Sequence, residues 1–223
     1  MASLFDRRIL AEFIGTAFLL AAVVGSGIMA ESLTDDVGLQ LLQNAFATAV
    51  VLAALIMALG PVSGAHFNPA VTLAELATGG IERATAVRYL LAQTVGGILG
   101  VILANAMFDL TLIDWSSKER SAGHLVLADG VATLGLLLVI FGVVRSDNVR
   151  MVGPAVGAYI GGAYYFTSST SFANPAVTIA RMFSDTFAGI EPASAPGFIA
   201  AQLVATAIAV PLIVALFPQD QGL

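Results

Sequence analysis

The chain has 223 residues, of which 58% are hydrophobic and 11% are charged. Soluble globular domains carry roughly a quarter charged residues, so this composition excludes an ordinary soluble domain and a disordered chain. Its net charge of −6 excludes the basic surface that a nucleic-acid-binding protein needs. Cysteine is absent, which excludes disulfides and thiolate metal sites, and the two histidines, His66 and His124, are a thin basis for any metal site. We therefore predict an integral membrane protein.

Six apolar runs are each near the length of roughly 20 residues that crosses a bilayer as a helix. In chain order they are Ile9–Ala30, Leu39–Gly60, Ala86–Phe108, Leu125–Val144, Val149–Phe166 and Gly197–Phe217. The first run is too long for a cleavable signal and contains Glu12, so we expect it to be retained. The predicted fold is all-α, with six transmembrane helices.

Two further segments, Pro61–Gly80 and Thr167–Gly189, are moderately apolar but too short to cross the membrane. Such segments are tolerated at membrane depth where protein buries them or where they line a watery cavity. We predict that both are re-entrant. Lys and Arg on alternate sides of the spans divide six to three, which places both termini in the cytoplasm by the positive-inside tendency.

The two re-entrant segments share the pentapeptide Asn-Pro-Ala-Val-Thr, at Asn68–Thr72 and at Asn174–Thr178. Further matches occur in the same order at similar offsets, and they pair Glu12 with Asp129, Thr16 with Thr133, and Gln93 with Gln202. We interpret them as a duplicated three-span unit, about residues 1–108 and 125–217, within one domain covering 1–223. Three spans are an odd number, so the second copy is inverted, and such folds place their sites at the midplane.

Asn followed by Pro is typical of a helix start, with Asn at the N-cap and Pro at the first helical position. Each re-entrant segment is then a loop followed by a half-helix whose N-terminus lies at the midplane. About half a positive charge at each N-terminus repels cations, and the Asn amides can donate to a solute. The alternative is an ordinary capped helix that happens to carry Pro.

These motifs resemble the aquaporin and aquaglyceroporin family over essentially the whole chain, in Ala11–Thr16, Ser63–Thr72 and Phe172–Ala176. The resemblance implies six tilted helices with two half-helices, passive conduction of small uncharged solutes and water, and a homotetramer in the inner cell membrane. It implies no cofactor and no enzymatic activity. The pore motifs that it implies are Asn68, Pro69, Ala70, Asn174, Pro175 and Ala176.

The resemblance also gives roles to buried polar residues. Glu12 and Asp129 should brace the re-entrant loops by accepting backbone N–H groups, although Asp129 is shorter than the usual Glu; a proton relay is the alternative. His66 should order its loop, with a pH-sensitive gate as the alternative, and His124 should be a solvated helix end.

Val177 stands where most family members have a filter Arg, and gap-free counting puts the other filter positions at Thr48, Gly162 and Ser171. Because this set has neither charge nor ring, we predict a wide filter. Arg181 lies one turn beyond Val177; we expect it to pair with Asp185 or to lie at the interface, the alternative being that it folds back into the filter.

Val at the filter position is similar to bacterial channels associated with arsenic resistance, so metalloid hydroxides such as arsenous acid are candidate solutes. Glycerol-like polyols and urea are the rivals. Three other classes stay open to test: a coupled secondary transporter, a membrane enzyme and a non-conducting structural protein. The sequence shows no catalytic constellation at membrane depth, and Glu12 and Asp129 are the only acids on which ion coupling could depend.

Overall fold

A computed structural model describes residues 6–218, and within this range the chain forms eight α-helices and two short 3-10 turns without any strand. The helices are α1 Arg7–Leu33, α2 Val37–Ser63, α3 Pro69–Ala77, α4 Arg83–Met107, α5 Gly123–Arg145, α6 Val152–Phe166, α7 Pro175–Ala180 and α8 Ala195–Leu216. The predicted all-helical fold is confirmed.

Five of the helices (α1, α2, α4, α5 and α8) are long and apolar enough to cross a membrane. The sixth predicted span, Val149–Phe166, consists of a 3-10 turn over Val149–Met151 followed by the 15 residues of α6. This span is therefore the shortest of the six. The short helices α3 and α7 lie in the two segments that the sequence predicts to be re-entrant.

Glycines let neighbouring helices approach closely. In α6, a Cβ added at Gly153 would lie 2.8 Å from the carbonyl oxygen of Ala53 on α2, and one added at Gly157 would lie 2.6 Å from that of Ala49. In α4, Gly100 packs in the same manner against the backbone of Ala17 on α1. Small residues four apart are the common means by which membrane helices bring their backbones together.

The outer surface of the helix bundle is apolar. Large hydrophobic side chains on several helices are solvent-exposed in the isolated chain, among them Phe46 on α2, Leu91 on α4 and Leu127 on α5. Such a surface is unusual for a soluble monomer and suits contact with lipid or with neighbouring subunits. The polar side chains gather instead inside the bundle, around the two half-helices.

Candidate functional site

A cavity of about 710 Å³ runs through the bundle between the half-helices and the longer helices. One wall is aliphatic, contributed by Leu19, Val23, Leu52, Ile56, Leu136, Ile140, Val156 and Ile160. The re-entrant loops form a second, polar part of the lining, which includes both Asn68 and Asn174. A groove with one polar and one apolar wall orients a solute by few hydrogen bonds while holding it weakly.

The two asparagines cap the half-helices and also join the two loops. The Asn68 Oδ1 accepts from the Ala70 N–H at 2.8 Å, while its Nδ2 donates to the Ala173 carbonyl at 2.7 Å. In the same way the Asn174 Nδ2 donates to the Phe67 carbonyl at 2.8 Å. An amide group has two N–H donors, so each asparagine keeps one for a solute. The sequence did not predict this reciprocal bonding.

The loops before the asparagines have unusual backbone geometry in both copies. Ala65 and Phe67 adopt φ angles of 50° and 48°, and Ser171 and Ala173 adopt 53° and 46°, in the left-handed region. Within residues 6–218, no hydrogen bond is donated to the carbonyl oxygens of Gly64, Ala65, His66, Thr170, Ser171 and Phe172. All of these residues except Thr170 line the cavity, so each loop carries consecutive acceptors that a hydroxylated solute can use.

Glu12 lies fully buried behind the first loop and accepts four hydrogen bonds. Its donors are the Ser63 hydroxyl at 2.6 Å, the His66 N–H at 3.0 Å, the Phe67 N–H at 2.8 Å and the Gln93 amide at 2.8 Å. A buried carboxylate needs such donors to offset its desolvation. This geometry holds the first loop in its strained conformation.

Asp129 lies in the equivalent place behind the second loop and accepts fewer bonds. The Ala173 N–H donates to it at 3.1 Å and the Gln202 amide at 2.6 Å. The Phe172 N–H and the Ser169 hydroxyl also face this carboxylate, outside good hydrogen-bond geometry. Gln202 also donates to the Thr178 hydroxyl at 2.9 Å, as Gln93 does to that of Thr72 at 3.0 Å. The sequence analysis used Gln93 and Gln202 only to identify the repeat, and it did not predict that they contact Glu12 and Asp129.

His66 lines the cavity and is held in place by its neighbours. Its Nδ1 lies 3.0 Å from the Thr72 hydroxyl, and its ring meets that of Tyr89 edge-on with centroids 5.3 Å apart. These contacts fix the ring within its loop. They support the predicted role in ordering the loop, and a pH-sensitive gate stays the alternative. His124, at the start of α5, is exposed.

Of the four predicted filter residues, Thr48, Ser171 and Val177 line the cavity, whereas Gly162 does not. Gly162 is exposed on the outer side of α6, where an added Cβ would meet nothing within 4 Å. Tyr164 lines the cavity instead, and its hydroxyl donates to that of Thr48 at 3.2 Å. Gap-free counting was wrong by two residues, which is a rotation of about 200° around a helix.

Arg181 also lines the cavity, with only 2% of its surface exposed. Its Nε donates to the Ala188 carbonyl, and its guanidinium carbon lies 3.5 Å from the centre of the Phe172 ring. The predicted pair with Asp185 is wrong, because that carboxylate accepts from the Ser117 N–H at 2.9 Å. Across residues 6–218 the one ion pair joins Arg8 and Asp6.

The predicted absence of ring and charge in this part of the cavity is therefore wrong. Tyr164 supplies a ring and Arg181 a positive charge, beside the Thr48 and Ser171 hydroxyls. The Ser171 hydroxyl is buried and has no partner among the described residues, so it is available to a solute. The signal for Arg181 was present in the sequence, since helical side chains lean toward the N-terminus and hence toward position 177.

Comparison with known proteins agrees with this architecture. Residues 2–164 match the sequence profile described as major intrinsic protein. The chain is 48% identical over 206 residues to aquaglyceroporin AqpS of Rhizobium meliloti (strain 1021), covering 92% of this chain and 88% of that one. It is 32% identical over 197 residues to aquaporin-5 of Ovis aries, covering 81% and 72% of the two chains.

In three dimensions, the chain is similar to the X-ray structure of the aquaglyceroporin from Plasmodium falciparum. The TM-score is 0.72 over 96% of each chain, at 19% sequence identity, which is a likeness of fold. Together with the sequence matches, it establishes what kind of protein this is. The chain belongs to the major intrinsic protein family, whose aquaporins and aquaglyceroporins are membrane channels for water and small neutral solutes and are not enzymes.

Proposed function

We propose that this channel passes hydroxylated neutral solutes larger than water, namely glycerol-like polyols and metalloid hydroxides such as arsenous acid, together with water. The observation that carries the proposal is the polar wall of the cavity. Along it lie one free N–H of Asn68, one of Asn174 and the free carbonyls of Gly64, Ala65, His66, Ser171 and Phe172. A hydroxyl group both donates and accepts, so a polyol can exchange its bonds to water for bonds to this wall.

The same cavity opposes cations. The N-termini of α3 and α7 both begin at the paired asparagines, where their dipoles contribute partial positive charge. Arg181 adds a full positive charge farther along the pathway. A protonated water or a metal cation therefore meets repulsion at two levels, whereas a neutral solute does not.

The size of the accepted solute depends on position 177. Val177 carries no donor, and the guanidinium of Arg181 contacts Phe172 one turn farther along. A small side chain at Val177 leaves clearance for a solute with three hydroxyl groups, while Arg181, Thr48 and Ser171 can still bond to it. The 48% identity to a protein named aquaglyceroporin also supports a pathway wider than one for water alone.

A coupled transporter needs an ionisable group that the coupling ion can reach. Among the described residues, Glu75 on α3 is the one acid that lines the cavity, and no second acid accompanies it there. Glu12 and Asp129, the acids predicted within the spans, do not line the cavity, and the loops and glutamines occupy their oxygens. Their geometry supports a bracing role and gives no support to ion coupling or to a proton relay.

We also infer a homotetramer with one pathway per subunit, embedded in the inner cell membrane with both termini in the cytoplasm. The exposed apolar surface supports burial against lipid and neighbouring subunits. Native mass spectrometry of the purified protein should give four times the monomer mass. Proteolysis of right-side-out vesicles should leave tags at both termini intact.

Proteoliposome flux measurements test the substrate proposal. Stopped-flow light scattering should show glycerol entering at least tenfold faster than in empty vesicles of the same lipid. Arsenous acid, measured by metal analysis of filtered vesicles, should behave likewise. Rapid water flux with glycerol and arsenous acid at the empty-vesicle rate would contradict the proposal and indicate a channel for water alone.

A further inference from the structure

A second, smaller pocket of about 190 Å³ adjoins the cavity at Arg181. Its lining residues are Val37, Leu41, Lys118, Arg120, Thr170, Arg181 and Phe187. Three of them are cations and none is acidic. We call it the cationic pocket. Its volume suits a small ion with a few waters, and it is far too small for a peptide or a nucleotide.

The two arginines of the cationic pocket are held side by side. The Arg120 Nε donates to the Gly189 carbonyl at 3.0 Å, and the Arg181 Nε donates to the adjacent carbonyl of Ala188. Both guanidinium groups lie over the Phe172 ring, with their carbons 5.1 and 3.5 Å from its centre. Each guanidinium has five N–H donors, and its Nε uses one, so the terminal nitrogens remain free to bind a ligand.

Lys118 supplies a third positive charge to the cationic pocket. Its Nζ donates to the Phe187 carbonyl at 2.8 Å and lies 4.7 Å from the centre of the Phe187 ring. An ammonium group has three donors, so two remain. Burial lowers the pKa of Lys118. Burial also lowers the pKa of Arg120, to about 10, so Arg120 still carries its charge at neutral pH.

The nearby carboxylates among the described residues act on these cations from a distance and form no ion pair with them. Asp185 is bonded to the backbone and hydroxyl of Ser117, Glu31 accepts from the Phe187 N–H at 3.0 Å, and Asp129 bonds to its own loop. Across residues 6–218, none of these acids lies within ion-pair distance of a pocket cation. Two mostly buried arginines without counter-ions are costly unless another negative charge is supplied.

We propose that the cationic pocket binds a small monovalent oxyanion of carboxylate size from solution. A planar oxyanion can accept from the terminal nitrogens of Arg120 and Arg181 as paired charge-assisted bonds, and Lys118 adds a third donor. The bound anion offsets the charge of Arg181, which also lines the solute pathway. Oxyanion binding is independent of conduction, but its effect on solute flux rests on the proposed function.

Formate is a suitable probe because it is small and planar, is ionised at neutral pH and has one resolved proton signal. Saturation-transfer difference NMR on the purified, detergent-solubilised channel should show saturable transfer to formate. A bulky organic sulfonate at equal ionic strength should not displace it. Arg120→Gln and Lys118→Gln should each weaken formate binding by roughly tenfold, the scale of one charge-assisted bond.

Arg83→Gln is the matched control, because Arg83 is an exposed arginine at the start of α4, outside both the cavity and the pocket. It should bind formate as the unaltered channel does. Size-exclusion chromatography checks that each variant folds, and Lys118→Gln keeps the test valid if Arg120→Gln does not. Absence of transfer to the unaltered channel, or equal binding by all three variants, would overturn the proposal.

Glycerol flux at constant ionic strength then tests the functional effect. Replacing the bulky sulfonate by formate outside the vesicles should change glycerol flux severalfold, and Lys118→Gln should reduce this response. Saturable formate binding without any glycerol flux would refute the proposed function and leave the anion site standing. Normal glycerol flux without formate binding would refute the anion site and leave the proposed function standing.

Discussion

The side-chain amide of Asn174 has two functions in this structure. Its oxygen accepts from the Ala176 and Val177 N–H groups, and its nitrogen joins the second loop to the first through the Phe67 carbonyl. One N–H remains for a solute. Because the same atoms fix the loops and face the pathway, we expect the residue to be sensitive to any apolar replacement.

Asn174→Leu keeps a similar volume but removes every polar contact of the side chain. We expect glycerol flux to fall about tenfold or more, which corresponds to roughly 1.4 kcal/mol in the barrier. The lost cap should lower the free energy of unfolding by about 1–2 kcal/mol. Stopped-flow scattering and thermal unfolding measure the two effects. The exposed Asn148→Leu is the control, and an Asn174→Leu channel that folds and conducts normally would contradict the assignment.

Under the proposed function, Arg181 and Val177 together set the clearance for large solutes. Arg181→Ala removes the positive charge and the contact with Phe172, so glycerol flux should rise relative to water flux.

Val177→Arg adds a second guanidinium beside the first, so the flux of glycerol and arsenous acid should fall severalfold, by about 1–2 kcal/mol in barrier. Water flux should change less. These ratios can be measured on one set of proteoliposomes.

The two variants separate two accounts of the filter. Unchanged flux of large solutes in Val177→Arg would mean that the constriction lies elsewhere in the cavity. An unchanged glycerol-to-water ratio in Arg181→Ala would mean that Arg181 serves the structure of the 181–190 segment alone, through its bond to Ala188.

At the scale of helices, α6 offers a matched pair of glycines. Gly157 faces α2, where a new Cβ would lie 2.6 Å from the Ala49 carbonyl oxygen and 2.9 Å from the Ala53 Cβ. Gly157→Ala should therefore push the helices apart and cost about 1–3 kcal/mol of unfolding free energy. Gly162→Ala faces open space and should leave both stability and flux unchanged. A changed solute preference in Gly162→Ala would restore Gly162 to the filter.

The loop braces provide a second comparison between elements. Glu12 accepts four hydrogen bonds and Asp129 two, although both are fully buried. Replacing either acid by its amide turns an acceptor into a donor that faces other donors. Glu12→Gln should therefore destabilise the channel more than Asp129→Asn, by about 1–3 kcal/mol. Differential scanning fluorimetry measures both, and equal or reversed losses would contradict the asymmetry.

For the molecule as a whole, the sequence predicted the helices and half-helices, but it did not predict the contacts between side chains that are distant in the chain. The six apolar runs and the Asn-Pro pairs indicated the helices and half-helices, because membrane length and helix capping act locally. The placement of Gly162 in the filter was wrong because it depended on the length of the loop before Asn174. The cross-bond from Asn68 to Ala173 spans 105 residues, and no local pattern encodes it.

Arg181 shows the boundary between these two cases. The sequence showed that Arg181 lies one turn beyond Val177. Whether its side chain pairs with Asp185 or points into the cavity depended on where the 109–122 loop lies. In the folded chain, the Ser117 N–H of that loop donates to the Asp185 carboxylate, and the Arg181 Nε donates to the Ala188 carbonyl. A charge pairing predicted from helical spacing thus gave way to partners supplied by the tertiary fold.

The reciprocal bonds of Asn68 and Asn174 tie the two halves of the molecule together at the tips of their loops. The loops are also braced from behind by Glu12 and Asp129. A pathway fixed in this way at its centre needs no alternation between inward-open and outward-open states. Conduction through it should therefore be passive.

Passive conduction can be tested by measuring glycerol influx into proteoliposomes against the size of the glycerol gradient. The initial rate should rise linearly with the gradient, be unchanged by imposed proton or sodium gradients, and move no protons, as followed by a trapped pH dye. A rate that saturates at low glycerol, or glycerol accumulation driven by an ion gradient, would contradict the account and indicate a coupled transporter.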